Sequence, residues 1–192
     1  MYAPPQFREE RRDVLLATVR ALKLAAIVIR ENGRFSVAQV PVLVRDPADP
    51  EAARIEFHVA LGNSFWRDVG DGCDALLMVQ GPHAYIHPGW YETKKQTGKA
   101  VPTWNYVTVH AEGRLSIQRD RAWLVGHLEA LTGESESGRP DEWTLPDGVA
   151  RDGWYRLIFR VTGNLRLLEI GNTEGTYLPI VKSATESVLD IY

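Results

Sequence analysis

Hydrophobic positions along the chain follow two different spacings. After Asp13, whose carboxylate suits an N-cap, Val14, Leu15, Val19 and Leu22 recur at helical intervals, which predicts a helix over residues 13–22. β-prone runs follow at residues 25–30 and 35–44, with Asn32-Gly33 between them. Both turn residues tolerate the positive φ of a tight hairpin, so a hairpin is expected there. Residues 45–52 read as a polar loop, and residues 55–60 as another strand. Asn63-Ser64 can cap a short helix to Val69, and Gly70-Asp71-Gly72 ends it. The unbroken apolar run at 75–79 predicts a strand buried on both faces. Residues 84–87 form a short strand, and residues 87–101 a polar loop. Residues 106–117 alternate as a half-buried strand does, with Gly113 marking a bulge. A helix over 119–131 would place Trp123, Leu124, Leu128 and Leu131 on one face. Residues 132–138 are small, polar and expected to be exposed, and 143–152 are irregular. A closing hairpin is expected from 155–161 and 165–170 over Thr162-Gly163-Asn164, and the tail from 171 has no assignable pattern. Six to eight strands joined mainly by hairpins make an antiparallel α+β plan. Closing such a sheet into a barrel removes its reactive edges.

Composition narrows the partners. With 192 residues, 44% hydrophobic and 24% charged, the expectation is one domain over residues 1–192. Cys73 is the only cysteine, so no intrachain disulfide forms, which fits a reducing, cytoplasmic setting. A net charge of -3 and a pI near 6.0 weigh against electrostatic capture of nucleic acid, although a local basic patch would leave DNA open. Met1-Tyr2-Ala3-Pro4-Pro5 lacks the character of a secretory signal. The apolar stretch 22–29 is interrupted by Lys23 and is too short to cross a bilayer, so no membrane association is expected.

Candidate chemistry concentrates between Gln80 and Tyr106. The segment holds Gln80-Gly81-Pro82-His83-Ala84-Tyr85-Ile86-His87-Pro88-Gly89-Trp90-Tyr91 and then Val101-Pro102-Thr103-Trp104-Asn105-Tyr106. Its five aromatics, Tyr85, Trp90, Tyr91, Trp104 and Tyr106, can stack on a flat heteroaromatic ligand while amides and hydroxyls meet its edge. The same rings could equally pack a barrel or a subunit interface. Lys94, Lys95 and Lys99 can neutralise a phosphate or simply form a solvated loop. Histidines stand at 58, 83, 87, 110 and 127. His83 and His87, four apart on a strand, would lie roughly 13 Å from each other, too far to share one metal ion. Cys73 sits beside Asp74, which disfavours a thiolate nucleophile. No P-loop, dinucleotide fingerprint or nucleophile elbow occurs, and no carboxylate pair stands out as acid and base, so catalytic residues are not assigned. Trp143 and Trp154 read as core or interface anchors.

These blocks resemble the PaiB family of FMN-binding negative transcriptional regulators. The segments Gln80-Gly81-Pro82 to Trp90-Tyr91 and Val101-Pro102-Thr103-Trp104-Asn105-Tyr106 carry the likeness, continued by His110 and Gly113-Arg114-Leu115. Upstream, His58-Val59-Ala60, Asn63 and Trp66 are similar to the segment preceding that motif, and Met1-Tyr2, Pro4 and Phe7-Arg8-Glu9 to the family start. The resemblance implies an antiparallel FMN-binding split β-barrel with flanking helices, of the kind found in pyridoxamine-phosphate oxidases and flavin reductases. It implies a homodimer with FMN at the subunit boundary. In that reading Trp90, Tyr91, Trp104 and Tyr106 line the flavin ring with Tyr85 nearby. Thr103 and Asn105 bond its polar edge, Lys95 or Lys99 meets the phosphate, and His58 and Asn63 add contacts from the preceding strand and turn. Two departures stand against it. Ala38-Gln39-Val40-Pro41 replaces an Asn-His-Leu-Pro run, and Arg166-Leu167-Leu168-Glu169-Ile170-Gly171-Asn172 replaces a Lys-Leu-Ser-Gln-Asn-Arg segment. They leave open loss of the cofactor. The functional expectation is a dimeric transcriptional regulator or redox-sensing binder. The alternatives are a flavin-dependent oxidoreductase using a nicotinamide donor, or a cofactor-free dimeric module.

Overall fold

The computed structural model describes residues 5–45, 54–99, 101–146 and 154–169, the last of these for its backbone. After a single 3-10 turn, the order is β1 (Arg8–Glu9), α1 (Arg12–Leu22), β2 (Leu24–Glu31), β3 (Arg34–Pro41), β4 (Leu43–Arg45) and β5 (Arg54–Ala60). Then come α2 (Phe65–Val69), β6 (Cys73–Ile86), a 3-10 turn (Pro88–Trp90), α3 (Glu92–Thr97), β7 (Thr103–Gln118), α4 (Arg121–Glu136) and β8 (Trp154–Glu169). Every strand pair is antiparallel, in the order β3-β2-β6-β7-β8-β5-β4 with β1 added on β8. β3 also packs against β5, so the two ends of the path curl towards each other. The result is the antiparallel α+β plan that the sequence pattern predicts, curled into the split barrel that the resemblance implies.

One apolar cluster fills it. Inward side chains of β2 (Ala25, Ile27, Ile29), β5 (Ile55, Phe57, Val59), β6 (Leu77, Val79) and β7 (Val109, Ala111, Leu115) meet Leu15, Leu16 and Val19 of α1 and Phe65 of α2. Alternation explains the register. Ile27 pairs with Leu77 and Leu77 with Ala111, so one parity of each strand shares the interior. α1 covers the mouth near Gly81, where Leu22 approaches, and α2 leads through Gly70 and Gly72 into β6 at the other end.

Local chemistry accounts for the element ends. Asn32 and Gly33 take φ of 49° and 79°, giving the expected β2–β3 hairpin with Glu31 opposite Arg34. Gly113 marks the expected irregularity, where the β7–β8 register shifts after Ala111. Asp13 does not cap α1. The cap position is Arg11, without a side-chain bond, and the preceding Glu9 carboxylate accepts from the Glu10 and Arg11 amides at 2.9 and 2.8 Å. The Arg11 guanidinium bonded to that carboxylate holds its pKa at about 2. Lys23, at φ 57°, ends α1 and turns the chain directly into β2.

Several expected boundaries move. The runs at 75–79 and 84–87 belong to one strand, β6, whose register against β7 shifts between Gln80 and His83. Gly81-Pro82 sits in that bulge, where a missing amide costs no ladder bond. A Cβ at Gly81 would lie 3.2 Å from the Leu22 side chain and 3.3 Å from Val107 Cβ. The 75–79 run is not buried on both faces: Leu77 and Val79 are inside, while Leu76 and Met78 are half-exposed on the outer face. The loop expected at 87–101 contains a 3-10 turn and α3, and α4 continues through Glu136. The closing hairpin does not form. β8 runs unbroken from Trp154 to Glu169, and Thr162-Gly163-Asn164 is a bulge opposite Glu112. The irregular segment 143–152 and the tail from 171 lie largely outside the described residues.

Candidate functional site

The long β6–β7 ribbon carries the sequence block with the most aromatics. Tyr85 pairs with Trp104 and His83 with Tyr106, so these four side chains share one face of the ribbon. That face points away from the core: Tyr85 is 44% exposed and Trp104 50%. The rings form a row. Trp104 stacks on His83 at 5.8 Å between centroids and lies 6.1 Å from Tyr85. Tyr85 meets His87 edge-on at 6.5 Å, and His87 lies 6.0 Å from Trp90, which is 68% exposed. Two imidazoles thus alternate with indoles and a phenol across an open surface.

Strand parity divides the expected ligand residues. Asn105 pairs with Ala84 and belongs with Val107 and Val109 on the inward parity of β7, where it is 7% exposed. Its Oδ1 is buried and has no hydrogen-bond partner. Thr103, also on that parity, is half-buried near the strand start, opposite Ile86. Tyr91 joins the 3-10 turn to α3 and is half-buried; Lys95 lies on α3, and Lys99, just beyond it, is exposed.

His58 and Asn63 lie elsewhere. His58 pairs through Arg156 of β8 with Gln118, the far end of β7 from Thr103. Fourteen positions separate Trp104 from Gln118 along β7, an extended length of roughly 45 Å before curvature. Asn63 is exposed, and its Oδ1 accepts from the Phe65 amide at 3.0 Å, bracing the turn into α2 one residue before the Ser64 cap position. Within one protomer these residues and the aromatic row do not meet.

His58 instead belongs to a polar cluster that the sequence pattern did not reveal. Its Nδ1 lies 3.1 Å from Nε2 of His127, a fully buried residue of α4 stacked on Trp123 at 5.4 Å. His127 Nδ1 lies 3.6 Å from Glu56 Oε2. Glu56, 1% exposed, accepts from Arg45 Nε at 2.9 Å and Arg54 Nε at 3.3 Å, and Arg45 also donates to the Gly126 carbonyl at 3.1 Å. Burial raises the Glu56 pKa, but the bonds and charges of His127 and Arg45 outweigh it and hold the carboxyl low. Burial, with His127 adjacent, pushes His58 down to about 4. The only sequence sign was a charged residue in the middle of Ile55-Glu56-Phe57, opposite a histidine in the helix pattern. This cluster docks α4 on β4 and β5. Among the described residues no group of three or more His, Cys, Asp or Glu side chains is placed to hold a metal ion.

The arrangement suits a planar heteroaromatic group. Exposed rings offer stacking surface on the outer face of the ribbon, while the unpartnered Asn105 amide oxygen lies buried on its inner face. A flavin held there would supply redox chemistry, while the chain binds and orients it.

The fold defines the class as an antiparallel split-barrel protein. Residues 1–163 match the family described as "Putative FMN-binding domain", and the chain belongs to that family. It is 33% identical over 117 residues to the protease synthase and sporulation protein PAI 2 of Bacillus subtilis, across 61% of this chain and 53% of that one. An uncharacterized Saccharomyces cerevisiae protein, YKL070W, is 42% identical over 77 residues, across 40% and 46% of the two chains. The chain thus spans about half the length of these curated relatives. Among solved structures, the FAD and heme binding protein of Mycobacterium smegmatis superposes with a TM-score of 0.65 at 17% identity, over 85% of this chain and 74% of that one. The flavocytochrome Anf3 of Azotobacter vinelandii gives 0.65 at 12%, over 87% and 71%. At such identities the likeness concerns the fold. No helix among the described residues is long and apolar enough to cross a membrane.

Proposed function

We propose that this protein binds FMN as a homodimer, and that the bound flavin serves a redox-sensing or regulatory role in the cytoplasm. Residues 1–192 act as one domain in this reading. The observation that carries it is the exposed row of Tyr85, Trp104 and Trp90, at 44, 50 and 68% exposure, in a chain of an FMN-binding family. Solvent-facing indoles at this density favour a ligand or partner over scaffold. Tyr106 and Tyr91 extend the stacking surface and Lys95 or Lys99 takes the phosphate, while Thr103 and Asn105 face the opposite side of the ribbon.

A second copy fits the outer face of β3, β2 and β6. Phe35 and Val37 are 73 and 56% exposed there, beside half-exposed Val28, Leu76 and Met78. A hollow of about 490 Å³ lined by Val28, Arg30, Phe35, Leu76 and Glu112 opens on the same face. Apolar surface of this kind is typical of a subunit boundary. A net charge of -3 lends DNA binding no support.

The departures from the family pattern bear on this reading. Ala38 to Pro41 lie on β3, while Arg166 to Glu169 lie on β8 beside Val107 to His110, next to the ribbon. The test is titration of the purified protein with FMN, followed by flavin absorbance and fluorescence on a sizing column. Stoichiometric binding that co-elutes with a dimer is the expected result. A colourless protein that ignores added FMN would overturn the proposal and leave the cofactor-free module.

A further inference from the structure

Two histidines in the aromatic row have a ring nitrogen already engaged, and this fixes what the other nitrogen offers. His87 Nδ1 accepts from the Gly89 amide at 2.9 Å. His83 Nδ1 accepts from the Trp104 indole N–H at 3.3 Å. A ring nitrogen that accepts a hydrogen bond carries no proton, so in each neutral imidazole the proton resides on Nε2. Both side chains are exposed, and neither Nε2 has a recorded partner among the described residues.

The His87 arrangement is built into the backbone. His87 caps the Pro88–Trp90 turn, and its imidazole lies directly over Gly89. A Cβ at Gly89 would fall 2.7 Å from His87 Cε1 and 2.8 Å from Nδ1. Real Cβ atoms do not approach that closely, so a glycine at 89 is what allows this ring position. Capping alone would not need an imidazole, because Asn or Ser at the same place accepts the same amide bond. What the imidazole adds is a second, rigidly aimed N–H beyond the cap, between Tyr85 and Trp90.

We propose that His87 donates from Nε2 to the hydrogen-bond-accepting ring edge of the planar ligand that Tyr85, Trp90 and Trp104 stack against, with His83, on the far side of Tyr85 and Trp104, offering a second donor. This rests on the flavin-binding reading above and extends it. The aromatic row selects for a flat ring, and the fixed donors select for one with carbonyl oxygens or unprotonated nitrogens on its rim. Such a rim rejects a flat hydrocarbon, because its donors would be left unpaired on burial.

His87→Asn separates the two roles, since Asn keeps the cap and loses the outward donor. The probes are FMN and riboflavin, which share the ring and differ in the phosphate. The proposal expects His87→Asn to weaken both by a similar factor, about three- to tenfold, with thermal stability unchanged. Unchanged affinity for both flavins in a folded variant would overturn it. A loss confined to FMN would also overturn it, by placing His87 at the phosphate. If the wild-type protein binds neither flavin, the underlying reading falls, and this proposal falls with it. A readout without flavin is available in the 15N shifts of the imidazoles in the ligand-free protein. Protons on Nε2 of both rings are expected, and protons on Nδ1 would contradict the geometry. Gly89→Ala should displace the His87 ring and reproduce the flavin loss of His87→Asn; normal binding by that variant would count against the proposal.

Discussion

The two ends of the β7 strand use histidine and aromatic side chains in opposite ways. At the α4 end, His58, His127, Glu56, Arg45 and Trp123 are packed together, with His127 and Glu56 at 0 and 1% exposure. Each ionisable group there faces another, and the cluster holds a helix to a sheet. At the ribbon end, His83, His87, Tyr85, Trp90 and Trp104 form a similar mixture of rings but stand in solvent. Buried polar groups must be satisfied internally, whereas exposed ones keep their capacity for something else. Residue type alone does not separate structural from binding histidines; burial and charged neighbours do, His127 lying fully buried beside Glu56 while His83 and His87 stand exposed.

The largest effect expected from breaking this contrast lies at Glu56. Glu56→Ala removes the carboxylate between two arginines and a buried imidazole, which should destabilise the fold by about 3–5 kcal/mol in urea unfolding. The protein that remains folded should bind FMN as before.

Acid should act on the same end. His58 has a folded pKa of about 4 against 6.5 for a free side chain, so the unfolded chain takes up the proton first. Stability is therefore complete above about pH 6.5 and declines as pH falls towards 4, by roughly 3 kcal/mol in full. Glu56, whose pKa is lowered, loses its contribution in the same direction as pH falls below the ordinary carboxylate range. Denaturant titrations across this range check it, and His58→Gln should flatten the slope between pH 6.5 and 4.

The smallest effect sharpens the boundary of the site. Asn63→Ala removes the turn bond to the Phe65 amide and should cost about 1 kcal/mol of stability without changing flavin affinity. A fall in affinity in the dimer would instead bring Asn63 to the ligand across the subunit boundary.

Much of this architecture was legible in the sequence, for reasons that also explain the misreadings. Asn32-Gly33 announces its hairpin because both residues adopt positive φ there. Thr162-Gly163-Asn164 shows the same chemistry yet forms a bulge, because β7 and β5 hold the flanking residues in one continuous ladder. Gly81-Pro82 likewise looks like a break and is a bulge. Local turn propensity is a short-range signal, and long-range pairing overrode it twice. The aromatic ribbon was recognisable as a block, but the separation of Asn105 from Trp104 follows from strand parity and the distance of His58 from overall topology. The link between Glu56 and His127 joins residues 71 positions apart in the chain, which no local pattern exposes.

The most direct test of the central claim is an FMN titration of Trp104→Ala against the wild-type protein, with the folded fraction matched by near-ultraviolet circular dichroism. Trp104 is half-exposed in the ring row, between His83 and Tyr85, so its loss should weaken FMN binding by about 1–3 kcal/mol while lowering stability by less than about 1 kcal/mol. Wild-type affinity in the variant, or a collapse of stability with binding retained, would contradict it and make the ribbon aromatics part of the scaffold.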